Sequence, residues 1–159
     1  MNARELLLEP FEFLAPERAL DGLAPDLAER RLEGANHSIA EIVAHMTFWQ
    51  DWFSRRGAGE DAPMIAHAAE GWPAVAPGSW LIVRQHLLDG LSGLVAWADA
   101  AGDLEIPLAP PIQFPPLAHY SRRDALVHVA NHNAHHLGQV ILLRQLLGTW
   151  PPPGGGWTW

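Results

Sequence analysis

The chain has 159 residues, enough for one domain whose core needs no cross-links. Hydrophobic residues make up 48% of it, too many for a disordered protein, and 18 acidic against 10 basic residues give a net charge of −8, which argues against nucleic-acid or anionic-lipid partners. Cysteine and lysine are both absent, which excludes disulfides, thiolate metal sites, cysteine nucleophiles and lysine Schiff bases.

Targeting and membrane signals are also missing. The first residues do not resemble a secretory signal, and no apolar run approaches the roughly 20 residues that span a bilayer. We therefore expect a single domain over residues 1–159, located in the cytoplasm and acting on a small molecule.

The predicted elements are four helices. In chain order they cover about residues 3–22 with an interruption near Pro16, 38–56, 79–101 and 121–148. Ser38 with Glu41 forms a capping-box pattern at the start of the second helix, and Ser121 begins the fourth in a similar way. Gly148 before Pro151 is typical of a helix end.

Two long connections, about 57–78 and 102–120, are rich in Gly, Ala and Pro. Since long structureless loops are uncommon in compact domains, either they contain short structure or one is a crossover between parallel helices. We expect the first to be a crossover. The Pro/Gly/Trp-rich tail, 149–159, is predicted to be non-helical, and its tryptophans suggest that it packs against the domain.

The fourth helix carries the most informative pattern. At about 100° per residue, His132 and His136 fall in the middle of an apolar stripe with Val129, Val140 and Leu143. Buried imidazoles are costly unless their nitrogens are satisfied, and a spacing of four residues lets a helix offer two nitrogens to one metal ion. The alternative is a pair of core histidines hydrogen-bonded to polar neighbours.

A third ligand would have to come from another helix. His45 lies at the edge of the apolar stripe of the second helix, beside Ile42 and Trp49. Alone it would more often be a satisfied interior histidine, but facing a histidine pair it becomes the expected partner.

The other histidines are interpreted separately. His128 offers a competing pair with His132 but points further off the stripe, and His135 faces sideways, as a residue behind the site or at the surface would. The sequence favours ordinary surface roles for His37, His67 and His119, and a structural role for His86.

Five further residues are candidates for supporting roles. Glu41, one turn before His45, could orient its ring or simply cap the helix, and Gln139 could contact substrate or satisfy a backbone group. Trp49, with Trp52 and Trp80, could line a pocket, although tryptophans at helical spacing usually belong to the core.

The stretch from His132 to Arg144, which contains His136-Leu137-Gly138-Gln139, resembles the last core helix of the DinB-like superfamily, also described as DinB/YfiT-like metal-dependent enzymes. The segment from Ser38 to His45 is similar to the second-helix motif of that family, and Gly148-Thr149-Trp150-Pro151-Pro152 to its usual ending. Position 135, often tyrosine in relatives, is histidine here.

The resemblance implies an all-α four-helix bundle in up-down-down-up order, with a divalent metal ion on His45, His132 and His136 and a homodimeric assembly. Zinc and nickel are the metals we expect first at such a site, and iron, cobalt or manganese would also suit it. The activities known in the family imply a thiol S-transferase, with a low-molecular-weight thiol as co-substrate, ahead of a hydrolase. No catalytic side chain is identified, because the reactive group would be a water or thiolate at the ion. The alternative is a non-catalytic metal-binding or structural homodimer.

Overall fold

The structure, a computed structural model, describes residues 2–10 and 13–156 and is all-helical over them. Its α-helices are, in chain order, α1 (Ala3–Leu7), α2 (Pro16–Ala19), α3 (Pro25–Ala28), α4 (Ile39–Gly57), α5 (Trp80–Ala100) and α6 (Arg122–Leu146). No helix in this part of the chain is long and apolar enough to cross a membrane.

The three long helices confirm the predicted second, third and fourth helices to within a few residues. The hydroxyls of Ser38 and Ser121 each accept a hydrogen bond from the backbone N–H three residues later. The carboxylates of Glu41 and Asp124 accept in turn from the backbone N–H of these serines, so both helices begin with a complete capping box. Gly148 has a φ of +68°, the left-handed conformation that commonly follows a helix end.

The first predicted helix is wrong as a continuous element. Helix α1 ends at Leu7, and the next helical turn is α2, which starts at Pro16. Proline lacks an N–H and clashes with the preceding turn, so Pro10 and Pro16 break the helix rather than merely interrupting it. Residues 23–37, for which the sequence predicts no helix, contain α3.

The two long connections contain short structure of their own. Each includes a 3-10 helix, Ala68–Gly71 in the first and Pro115–Leu117 in the second. The second connection also folds back on the start of α6, where the backbone N–H of Leu108 donates to the carbonyl of Tyr120 at 2.8 Å.

The core lies where α4 faces α5 and α6, with α1 packed against both α5 and α6 on the other side. Its fully buried members include Val43, Met46, Leu87, Leu91 and Val140. Trp52 and Trp80, for which the sequence left a pocket or the core open, belong to this core.

The described part of the tail contacts the helical domain. The Arg18 guanidinium donates to the carbonyls of Gly154 and Gly155 at 2.8 and 2.9 Å, and that of Arg144 lies 5.8 Å from the ring centroid of Trp150. Trp157 and Trp159, the other tryptophans of the predicted packing, lie outside the described residues.

Candidate metal centre

His45 is held from two directions. It points inward from the middle of α4, where only 7% of the residue is exposed. Its Nδ1–H donates to the carbonyl of Gly71 at 2.6 Å, and the Trp72 indole stacks on its ring, with centroids 3.8 Å apart and planes 5° from parallel. Because Nδ1 carries the proton, the Nε2 lone pair of His45 is free.

His136 on α6 is oriented in an equivalent way. Its Nδ1–H donates to the Oε1 of Gln139 at 2.8 Å, and the amide Nε2 of Gln139 donates in turn to the Nε2 of His135 at 3.3 Å. The Gln139 side chain therefore bonds to two histidines rather than to a backbone group; it fixes the tautomer of a candidate ligand and leaves the Nε2 of His136 unprotonated.

His132, one turn earlier on α6, completes the group. Its Nε2 lies 3.2 Å from the Nε2 of His45. One proton shared between these two nitrogens would satisfy that contact. The Nδ1 of His132, however, is buried without a hydrogen-bond partner in the described part of the chain.

Together, the three imidazoles offer one nitrogen each, all within 4.8 Å of one another. Metal–nitrogen bonds of about 2.0–2.1 Å place two ligands of one ion roughly 3–3.5 Å apart, which the 3.2 Å separation of His45 and His132 already matches. The donor set therefore fits a divalent cation, which the three histidines could hold.

Burial keeps this group in the form that binds cations. It lowers the pKa of His45 and His136, and it lowers that of His132 to about 3, where the nearby His136 and His45 add to the effect. Near neutral pH all three rings are therefore uncharged and have lone pairs to donate.

The competing pair formed by His128 and His132 is not the one that converges. The Nδ1 of His128 lies 3.0 Å from the Tyr120 hydroxyl, and its ring packs on Phe53 at 4.6 Å between centroids. His128 thus lies behind His132 rather than beside His45. His135 is exposed, with its ring 4.9 Å from that of His136, so it borders the group without joining it.

Glu41 does not orient His45. Its carboxylate accepts from the Ser38 backbone at 2.7 Å and pairs with Arg31, so the capping role is the one observed, and the carbonyl of Gly71 takes the place expected for the carboxylate. Trp49 is half-buried behind Gly71, where an added Cβ would come within 3.2 Å of its indole nitrogen, so it supports the loop rather than contacting the three histidines.

Sequence reasoning missed Gly71, Trp72 and His37. The 3-10 helix of the first connection brings Gly71 and Trp72 onto His45. His37, predicted to be an ordinary surface residue, stacks on the opposite face of Trp72 with centroids 3.7 Å apart. The only signal in the sequence was a tryptophan within a Gly/Ala/Pro-rich loop. His67 and His119 are exposed as predicted, and the exposed His86 pairs with Asp51 at 3.2 Å.

Two open clefts reach the group from different sides. The Trp72 cleft, about 400 Å³, lies between residues 35–37, Trp72 and α6, and includes His136 in its wall. The Tyr120 cleft, also about 400 Å³, includes His128, His132 and His135. His45 lines neither cleft, since Trp72 covers it.

Comparison with known proteins shows the family of the chain. None of the curated proteins compared with the chain matches it. The sequence model of the DinB superfamily matches residues 16–140, a span that contains α4, α6 and all three converging histidines. The chain therefore belongs to the DinB superfamily.

Proposed function

We propose that this protein is a divalent-metal-dependent enzyme whose ligands are His45, His132 and His136. One observation carries the proposal: His45 and His136 each direct Nδ1–H outward to a fixed oxygen, so their Nε2 lone pairs are left for a shared ion. Partners of this kind, behind the ligands, are what orient imidazoles in metal sites.

The site supports catalysis better than a closed structural role. Three neutral imidazoles leave a divalent ion its full charge and at least one open coordination position. The Trp72 and Tyr120 clefts include His136 and His132 in their walls, so an ion held by these residues would be open to small molecules that enter either cleft. When bound, the ion would supply Lewis acidity, lowering the pKa of a thiol or water and polarising a carbonyl.

Thiol S-transfer ranks ahead of hydrolysis in this proposal. The chain has no cysteine, so a nucleophilic thiol has to come from a small co-substrate. The chain's own contribution is to hold the three imidazoles neutral, to cover His45 with Trp72, and to leave separate approaches for two reactants. The family membership favours this chemistry, since its known activities include thiol S-transferases.

The identity of the ion follows from the ligands only as a class. Imidazole nitrogens suit zinc and nickel, which we place first, and iron, cobalt and manganese next.

The proposed scaffold is a four-helix bundle in up-down-down-up order, with the crossover at residues 57–78. Its four positions would be taken by α4, α5, α6 and the N-terminal segment that contains α1. The packing supports this arrangement, because α4 contacts α5 and α6, and α1 contacts the same two helices.

A homodimer is proposed as the assembly. The start of α5 presents Leu81 and Ile82 with 64% and 74% of each residue exposed, and a second copy would cover them. Sedimentation of wild type against Ile82→Glu tests this: loss of a dimer in the variant supports the proposed surface, and a monomeric wild type overturns it.

The test of function measures the transfer of bacillithiol, mycothiol and glutathione to a fluorogenic electrophile by the zinc- or nickel-loaded protein. We expect thiol transfer that stops when a chelator is added and resumes when the metal is restored. The His132→Ala variant should show no transfer. A chelator-sensitive ester hydrolysis without thiol transfer would move the assignment to the hydrolase. If no rate is sensitive to the chelator, the proposal that the protein is an enzyme is wrong, and the alternative of a non-catalytic metal-binding homodimer takes its place.

A further inference from the structure

The Trp72 cleft has a chemistry that restricts what it can bind. Its walls are mostly apolar and include Ile42, Trp72, Leu142 and Leu143, and none of the described Asp, Glu or Arg side chains lines it. A charged ligand would lose hydration there without gaining an ionic partner. Its volume, about 400 Å³, is in the usual range for small-molecule sites.

The two ends of the cleft differ. At one end lies His136, a candidate ligand. The other polar groups include Asn36 and His37, whose side chains make no hydrogen bond within the described part of the chain. The His37 ring is nevertheless fixed, because it stacks on Trp72 with planes 8° from parallel. A fixed donor with nothing to bind, at the edge of an apolar cleft, fits a ligand's hydrogen-bond acceptor.

The Tyr120 cleft provides a contrast. It is lined by Tyr120, Val127, Asn131 and three histidines, together with the carboxylate of Asp124, whose pKa is lowered by its bonds to Ser121. That cleft contains one carboxylate, whereas none of the described residues that line the Trp72 cleft is acidic. The two approaches to the histidines therefore favour different molecules.

We infer that the Trp72 cleft binds the acceptor substrate of the reaction, and that this substrate is uncharged, mostly apolar and carries a carbonyl or amide group. The reacting end lies at His136, the apolar body along Leu142 and Trp72, and the carbonyl oxygen accepts from His37. This inference rests on the proposed function, since it takes the metal position as the reacting end.

The test uses alkanethiols as probes, because a thiol sulfur binds the ion while its chain occupies the cleft. The plain alkanethiol is compared with derivatives ending in a carboxamide, a carboxylate or an ammonium group, with three to six methylene groups each. Calorimetry on zinc-loaded protein gives the dissociation constants. At the best chain length the carboxamide should bind roughly three- to tenfold more tightly than the plain thiol, as one added hydrogen bond gives, and the charged probes more weakly.

Two matched pairs of variants locate the effect. His37→Phe keeps a ring against Trp72 but removes the donors, so it should abolish the carboxamide preference without changing affinity for the plain thiol; His119→Phe is its control. Leu142→Glu puts a charge in the cleft wall and should weaken the plain and carboxamide probes. Its control, Leu146→Glu, alters another exposed leucine of α6 that lies outside the cleft, and should not.

The outcomes separate this inference from the function itself. If zinc and the plain thiol bind but the carboxamide has no advantage, or if Leu142→Glu and Leu146→Glu behave alike, the cleft assignment is overturned and the metal centre is not. If wild-type protein binds no zinc, the metal centre fails first and the cleft assignment with it.

Discussion

Substitution of Gln139 tests whether the hydrogen bonds behind the ligands tune metal binding. Its Oε1 accepts from the Nδ1 of His136 at 2.8 Å, so Gln139→Leu removes the group that fixes the tautomer while keeping similar volume. Loss of such a partner typically weakens metal affinity 10- to 100-fold. Because Gln139 is exposed and water can replace its oxygen, we expect the lower end, about tenfold or about 1.4 kcal/mol.

The assay is competition for zinc against a chromogenic chelator at neutral pH. Gln145→Leu is the matched control, since Gln145 is an exposed glutamine of the same helix with no side-chain hydrogen bond among the described residues. Gln139→Glu should bind zinc at least as tightly as wild type, because a carboxylate accepts more strongly. Equal zinc affinities for Gln139→Leu and Gln145→Leu would refute the reasoning.

The remaining predictions concern the stacked ring, acid stability and a tight contact in the core. Trp72→Ala, which uncovers His45, should weaken zinc binding by about tenfold in the same assay; unchanged affinity would show that the indole contributes nothing. In metal-free protein the pKa of His132 is lowered to about 3, whereas in the unfolded chain it is about 6.5. Between these pH values His132 is protonated in the unfolded state and neutral in the folded state, which destabilises the fold. The melting temperature should therefore fall as the pH drops through this window, and fall less in His132→Asn; parallel curves would contradict the assignment. Gly90→Ala should lower the free energy of unfolding by about 1–3 kcal/mol, because its Cβ would lie 2.0 Å from the buried amide nitrogen of Gln50. Gly93→Ala, which meets nothing within 4 Å, should raise the free energy of unfolding by up to about 1 kcal/mol in denaturant titration.

The sequence predicts the parts of the site that helical periodicity controls. His132 and His136 share a face because four residues make about one turn, and the apolar residues around them show that the face is buried. The starts of α4 and α6 could be predicted for a similar reason, since a capping box is a contact between residues three apart.

Most of the predictions that were wrong concern contacts between residues that are far apart in the sequence. Nothing near Gly71 shows that its carbonyl reaches His45, because the path of residues 57–78 is decided by packing. His37 looked like a surface residue since its partner, Trp72, lies on that same connection. The N-terminal helix failed for a local reason, the strength of proline as a helix breaker at Pro10 and Pro16.

The central claim is that three imidazoles from α4 and α6 share one cation, and metal analysis tests it most directly. Protein purified without chelator and dialysed against zinc should hold about one ion per chain. His45→Ala, His132→Ala and His136→Ala should each lose it, whereas His128→Ala should keep it. Full metal content in His132→Ala and His136→Ala would contradict the account.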